Sequence, residues 1–213
     1  MTVVTIDGPA GSGKSTVAAA LAARLGLAHV DTGAYYRAAT LAVLRAGVDL
    51  HDAEAAADVV RRARIERRDG RTLLDGNDVE ADIRGPEVTA AVSVVAAHPP
   101  VRAMLLLQQR AEIGDAGAVV EGRDAGTVVV PDADLKVWLT ASPRERASRR
   151  AAQSGKPGAV DAEVVAIERR DSLAASQMVP SGGAREVDTT GRTVREVIDE
   201  LERLASVADG ARA

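Results

Sequence analysis

Residues 8–16, Gly8-Pro9-Ala10-Gly11-Ser12-Gly13-Lys14-Ser15-Thr16, combine spaced glycines, a lysine and hydroxyls in an order suited to polyphosphate. The run fits G-x-x-x-x-G-K-[ST]. Glycines let successive N–H groups turn inward around phosphate oxygens without Cβ clashes. A helix starting at the lysine aims its positive end at the same charge. Lys14 then reaches the β- and γ-phosphates, and the Ser15 hydroxyl offers a hard oxygen to Mg²⁺. The motif predicts binding of a nucleoside triphosphate and is silent on the acceptor. Two further clusters carry polar groups of the right kind: Asp31-Thr32-Gly33-Ala34-Tyr35-Tyr36-Arg37 and Glu121-Gly122-Arg123-Asp124-Ala125-Gly126-Thr127. A hydroxyl, a phenol and an arginine in the first can hold a phosphate or a base.

The elements around these clusters alternate. Val3-Val4-Thr5-Ile6 predicts a buried strand, and Val17, Ala18, Leu21 and Leu25 predict the apolar face of a helix from Lys14, ending at Gly26. Leu27–Val30 predicts a second strand, followed by a helix to Ala46 before Gly47. A helix is expected over 53–65. Asp69-Gly70 between short β-like runs signals a hairpin. Pro86 opens a helix to about Ala97. Pro99-Pro100 then breaks the chain, and 101–113 is helical again. Ala118-Val119-Val120 and Leu135–Leu139 predict strands, 143–153 and 161–173 helices, and 176–185 a Gly/Ser/Pro-rich loop. Glu186-Val187-Asp188 is the last strand. Thr193 and Glu196 form a capping box for the last helix. Strands alternating with helices imply an α/β fold with a parallel sheet covered on both faces. Residues 66–112 stand out as an insertion.

Composition removes several classes. There is no Cys, which excludes disulfides, thiolate metal sites and thiol nucleophiles. His29, His51 and His98 lack ligand spacing. The net charge of -4 does not favour DNA or membrane. With Phe absent and only Tyr35, Tyr36 and Trp138 aromatic, a base-stacking platform for nucleic acid is not expected. No apolar run reaches membrane-spanning length, and no signal-peptide n-region precedes the first strand, so a cytoplasmic protein is expected. Lysine is scarce: Lys14, Lys136 and Lys156 stand among 27 lysines and arginines. The lysine in the glycine loop is therefore more informative than any single arginine.

A guanine-reading Asn-Lys-x-Asp run is absent, since the only asparagine is Asn77, before Asp78. Ala118–Glu121 is a poor match to the apolar strand ending in Asp-Glu of motor and transport ATPases. A small chain with an insertion and Arg-rich segments fits a small-molecule kinase. Phosphoryl transfer needs positioning and charge neutralisation more than a covalent group, and arginines supply both through bidentate contacts.

At this point the chain resembles the bacterial cytidylate kinase family. The resemblance runs from about Val3 to Asp171 and over the last strand and helix. It is carried by Ile6–Ser15, Asp31–Arg37, Leu74–Val79 with Ile83-Arg84, Ala91-Val92-Ser93, Pro99-Pro100-Val101-Arg102, Gln109-Arg110, Glu121–Val129 and Pro131-Asp132-Ala133. It implies a three-layer P-loop kinase fold with a parallel core sheet (1–65, 113–142 and 185–213), an enlarged nucleoside-monophosphate-binding insertion (66–112) and a mobile lid (143–184). The implied reaction moves the γ-phosphoryl group of ATP to CMP or dCMP with Mg²⁺. Residues 8–16 would hold ATP, with Ser15 as a metal ligand. Thr32, Tyr36 and Arg37 would contact the monophosphate. Ser93, Arg102 and Asp124 would recognise cytosine, and Arg123 would approach the acceptor phosphate. Arg146, Arg149 and Arg150 would join Lys14 in neutralising the transferring group, and Arg170 would touch substrate. A monomer acting on free nucleotides is expected. Kinases for another monophosphate such as UMP, and a catalytically silent nucleotide-binding protein, are the alternatives.

The chain departs from the family in the lid. The family continues Arg-Asp-x-x-Asp-x-x-Arg, whereas this chain has Arg170-Asp171-Ser172-Leu173-Ala174-Ala175-Ser176-Gln177. Ala174 replaces the second carboxylate and Gln177 the second arginine, and the following Val179–Gly183 looks shortened. Weak discrimination between CMP and dCMP is expected, with Arg185 a candidate replacement for the lost arginine.

Overall fold

The computed structural model describes residues 2–175 and 178–210; at 170, 209 and 210 it describes the backbone only. The chain divides into two compact units, Met1–Val30 with Ile113–Ala213, and Asp31–Glu112.

The first unit is built on β1 (Val3–Asp7), α1 (Lys14–Leu25) and β2 (Ala28–Asp31), resuming after the second unit with β6 (Ala118–Gly122), β7 (Leu135–Thr140), α6 (Pro143–Gln153), α7 (Val160–Leu173), β8 (Arg185–Asp188) and α8 (Val194–Gly210). The strands form one sheet in the order β2-β6-β1-β7-β8. β1 runs parallel to β6 and β7, and β7 parallel to β8. All five residues of β1 are buried, as expected of a central strand covered on both faces. Val17, Ala18 and Leu21 of α1 and Val197, Ile198 and Leu201 of α8 pack with Val4, Ile6, Val137 and Leu139 into one core. Each fully buried leucine there contributes about 1.5–3 kcal/mol. The capping box of α8 forms: Thr193 N donates to Glu196 Oε2 at 2.8 Å and Glu196 N to Thr193 Oγ1 at 3.3 Å. A five-residue π-helical turn over Ala125–Val129, which the sequence pattern does not signal, follows β6.

The second unit contains α2 (Thr32–Ala46), α3 (Ala53–Arg62), the antiparallel strands β3 (Ile65–Arg68), β4 (Arg71–Leu74) and β5 (Asn77–Asp78), α4 (Pro86–Val95) and α5 (Pro99–Ile113). It therefore holds α2 and α3 as well as the segment 66–112 read as an insertion. The physical reason is the Ala-rich α2, whose Ala34, Tyr35, Ala38, Ala39, Ala42 and Val43 join Val60, Ile65, Leu74, Ile83 and Leu105 in a separate core. The expected hairpin is present, with Asp69 and Gly70 both at positive φ between paired Arg68 and Arg71. Two boundaries differ from expectation. α3 ends at Arg62, because Ile65 already pairs with Leu74 in the sheet. Pro99 and Pro100 open α5 instead of preceding it, since the first helical turn needs no N–H from them. Among the described residues no single helix is long and apolar enough to cross a membrane.

Candidate active site

The turn between β1 and α1 is pressed between two neighbours. A Cβ on Gly8 would lie 2.1 Å from the Leu139 carbonyl oxygen, and one on Gly11 would lie 2.8 Å from that of Arg146. Only glycine permits both approaches, so β7 and α6 can seat directly against the loop. Positive groups turn into its carbonyls. Lys14 Nζ donates to Pro9 O at 2.8 Å, Arg146 Nη1 to Ala10 O at 3.0 Å, and Arg149 Nη1 to Ser12 O at 3.3 Å. Desolvation, then repulsion from Arg123, lowers the Lys14 ammonium to a pKa of about 8, against attraction from Glu121, Asp7 and Asp171. The Ser12 hydroxyl is buried and has no hydrogen-bond partner among the described residues. Thr16 is exposed on the first turn of α1.

Acidic residues organise the same region. Ser15 Oγ donates to Glu121 Oε2 at 2.7 Å, and the other Glu121 oxygen lies 3.0 Å from His29 Nε2. Asp7, 3% exposed, accepts backbone N–H bonds from Ala125 at 2.8 Å and Gly126 at 2.7 Å. This ties the end of β1 to the turn just after Arg123-Asp124. Burial raises the Asp7 carboxyl to a pKa of about 6, outweighing the two hydrogen bonds that lower it. Asp171 on α7 accepts from Ala10 N at 3.3 Å and from Arg146 Nη1 at 2.6 Å, so it fastens the helix pair α6–α7 to the loop.

Of the arginines expected to act on phosphate, Arg146 and Arg149 reach the loop. Arg146 is 8% exposed. Arg149 also donates to Thr189 Oγ1 at 2.9 Å and Thr189 O at 2.8 Å, spanning to the end of β8. Arg150 instead donates along its own helix to Gln153 Oε1 at 3.4 Å. Arg123 Nη1 lies 3.5 Å from Met178 Sδ and 3.9 Å from Asp171 Oδ1, and burial lowers its pKa. Asp124 is buried at the start of the π-helical turn. The Arg170 side chain and Gln177 lie outside the described residues.

The remaining expected residues belong to the second unit. Asp31 caps α2 through Ala34 N at 3.0 Å and pairs with Arg84 at 3.3 Å. This fixes the turn that starts with the buried Thr32, whose carbonyl accepts from Gln109 Nε2 at 3.5 Å. Arg37 Nη1 donates to Ile83 O and to Thr89 Oγ1, each at 3.1 Å. Ser93 follows Thr89 by four residues on α4, so both lie on one helix face. The Arg102 guanidinium stands 5.4 Å from the Tyr36 ring centroid, within cation–π range. Sequence reasoning gives no role to Asp7, Glu121, Asp171 or His29. The available signal for the first two is an acidic residue closing an otherwise apolar strand.

This arrangement defines a P-loop phosphotransferase of α/β type: a parallel sheet, a glycine loop opening onto α1, and arginines and a lysine crowded around it. The chain belongs to the cytidylate kinase family, whose pattern matches residues 4–206. It is 50% identical over 216 residues to the cytidylate kinase of Nocardia farcinica (strain IFM 10152), covering 96% of this chain and 93% of that one. It is 46% identical over 217 residues to that of Mycobacterium leprae (strain Br4923), covering 98% and 97%. In fold it is similar to an uncharacterized protein from Eubacterium ventriosum ATCC 27560, with a TM-score of 0.54 at 10% identity over 97% of this chain and 99% of that one.

Proposed function

We propose that this enzyme transfers the γ-phosphoryl group of ATP to CMP or dCMP, giving CDP or dCDP, in the cytoplasm and as a monomer. The observation that carries the reading is the concentration of cations on the glycine loop. Lys14, Arg146 and Arg149 all donate to its carbonyls, so each has only to exchange a carbonyl for a phosphate oxygen when ATP arrives. Residues 8–16 bind the triphosphate through backbone N–H groups and the α1 dipole. Mg²⁺ suits the donors here, since it binds through a hydroxyl, waters and phosphates without a protein cage. Ser15 Oγ, with its hydrogen directed to Glu121, is the protein ligand in this reading. Bound there, the ion neutralises charge on the phosphates being parted.

The acceptor is itself an anionic phosphate, so no general base is needed. Thr32, Tyr36 and Arg37 hold the monophosphate nucleotide. Ser93 and Arg102 serve the acceptor atoms of cytosine, and Asp124 takes its amino hydrogens. Arg123 faces the acceptor phosphate, and Arg146, Arg149, Arg150 and Arg170 serve the transition-state charge. Such arginines are worth about 10³–10⁵ in rate in related transfers.

The test is ADP release from MgATP against CMP, dCMP, UMP and AMP, with Lys14→Ala as control. CMP and dCMP are expected to turn over with a kcat/KM ratio near one, and Lys14→Ala to remove turnover. Preference for UMP would move the acceptor assignment away from Asp124, which meets a second acceptor in uracil. CMP binding without turnover would identify a nucleotide-binding protein in place of an enzyme.

A further inference from the structure

Glu121, next to last in β6, has donors from two other elements on its two oxygens. Ser15 Oγ, from the first turn of α1, donates to Oε2 at 2.7 Å. His29 Nε2, from the neighbouring strand β2, stands 3.0 Å from Oε1. The Glu121 residue is 3% exposed. An ionised carboxylate has only acceptor sites, so Nε2 of His29 carries the hydrogen of that bond. The Ser15 hydroxyl has one hydrogen and two lone pairs, and giving the hydrogen to Glu121 leaves the lone pairs for a cation.

We propose that His29 is a positioning residue for the Mg²⁺ site. By binding one oxygen of Glu121 it fixes the carboxylate, so that the other oxygen orients the Ser15 hydroxyl with its lone pairs toward the metal. The inference rests on Ser15 being the metal ligand. Without His29 the buried Oε1 loses this donor, and the carboxylate can turn away from Ser15 or take the cation itself. Outer partners of metal ligands are worth about 10–100-fold in metal affinity. His29 acts through one more residue, so a shift of roughly 3–10-fold is expected. The His29 side chain is 24% exposed, so its truncation opens no sealed cavity.

The experiment measures ADP binding by calorimetry at increasing Mg²⁺, with no turnover involved, in wild type, Ser15→Ala, His29→Ala and His29→Gln. Melting temperatures are recorded alongside. His29→Ala should raise the Mg²⁺ concentration for half-maximal enhancement of ADP affinity by about 3–10-fold and leave Mg²⁺-free affinity unchanged. His29→Gln, which restores an N–H donor of similar reach, should return it to near wild type. In kinetics His29→Ala should shift the Mg²⁺ requirement without moving KM for CMP. An unchanged Mg²⁺ requirement in His29→Ala, an equal loss of affinity with and without Mg²⁺, or no rescue by glutamine would overturn the inference. If Ser15→Ala itself leaves the Mg²⁺ requirement unchanged, the metal assignment of Ser15 fails and this inference falls with it. A shift in Ser15→Ala but none in His29→Ala removes the His29 role alone.

Discussion

Asp7 shows how a single buried carboxyl couples protonation to stability. Its pKa is about 6 in the folded chain against an ordinary 3.8, because burial opposes its charge more than two backbone N–H bonds favour it. The folded protein thus holds this proton more tightly than the unfolded chain. The resulting stabilisation is full below about pH 4 and is lost as pH rises through about 6. Tighter binding of the proton by this amount corresponds to about 3 kcal/mol at most. Asp7→Asn cannot titrate, so urea midpoints measured at pH 4, 5, 6 and 7 should show wild type losing stability relative to the variant across that interval. Parallel pH curves would show that Asp7 keeps its ordinary affinity for protons. The variant also loses a carboxylate oxygen facing Ala125 N or Gly126 N, so its absolute stability is expected to be lower at every pH. The slope, not the offset, isolates the titration.

At the level of elements, α6 and α7 reach the phosphate loop through Arg146 and Asp171, and the departure from the family pattern at Ala174 falls on the end of the same pair. Ala174 follows α7, its N–H donating to Asp171 O at 3.1 Å, and it is 5% exposed. A carboxylate there would be desolvated and would also face the negative end of the helix. Alanine is therefore the residue this packing accepts. Ala174→Asp should cost about 1–3 kcal/mol, read as a fall in Tm of roughly 2–4 °C for each kcal/mol. With position 174 buried, such a carboxylate stays off the sugar, so, against the expectation from the family pattern, the variant should not sharpen the choice of CMP over dCMP. A variant with unchanged Tm and a new preference for CMP would show instead that position 174 meets the sugar, and that the missing carboxylate had a binding role.

Over the whole molecule, what could be read from the sequence was what is local. The glycine loop, the Asp69-Gly70 turn and the Thr193/Glu196 box each depend on residues within a few positions of one another, and each formed. The strand order β2-β6-β1-β7-β8 depends on pairs such as Val3 with Ala118, and the Ser15–Glu121–His29 chain on partners 106 and 92 residues apart, and periodicity carries no information at such distances. The extent of the second unit escaped for the same reason, since α2 joins it through packing and not through a change in composition. That unit has its own core, distinct from the core shared by α1, α8 and the sheet. Of the proposed acceptor residues, Thr32, Tyr36, Arg37, Ser93 and Arg102 lie in it, while Arg123 and Asp124 lie in the first, with the triphosphate loop. Each ligand should therefore protect its own set of amides. At 100 times its Kd a ligand stabilises what it binds by about 2.7 kcal/mol. Hydrogen exchange with CMP alone should slow in α2 and α4, and leave α8 unchanged. A non-transferable ATP analogue with Mg²⁺ should slow exchange in residues 8–16 and the first turns of α1. Protection of residues 8–16 by CMP, with α2 and α4 unaffected, would take the acceptor site out of the second unit and leave Tyr36 and Arg102 with a packing role alone.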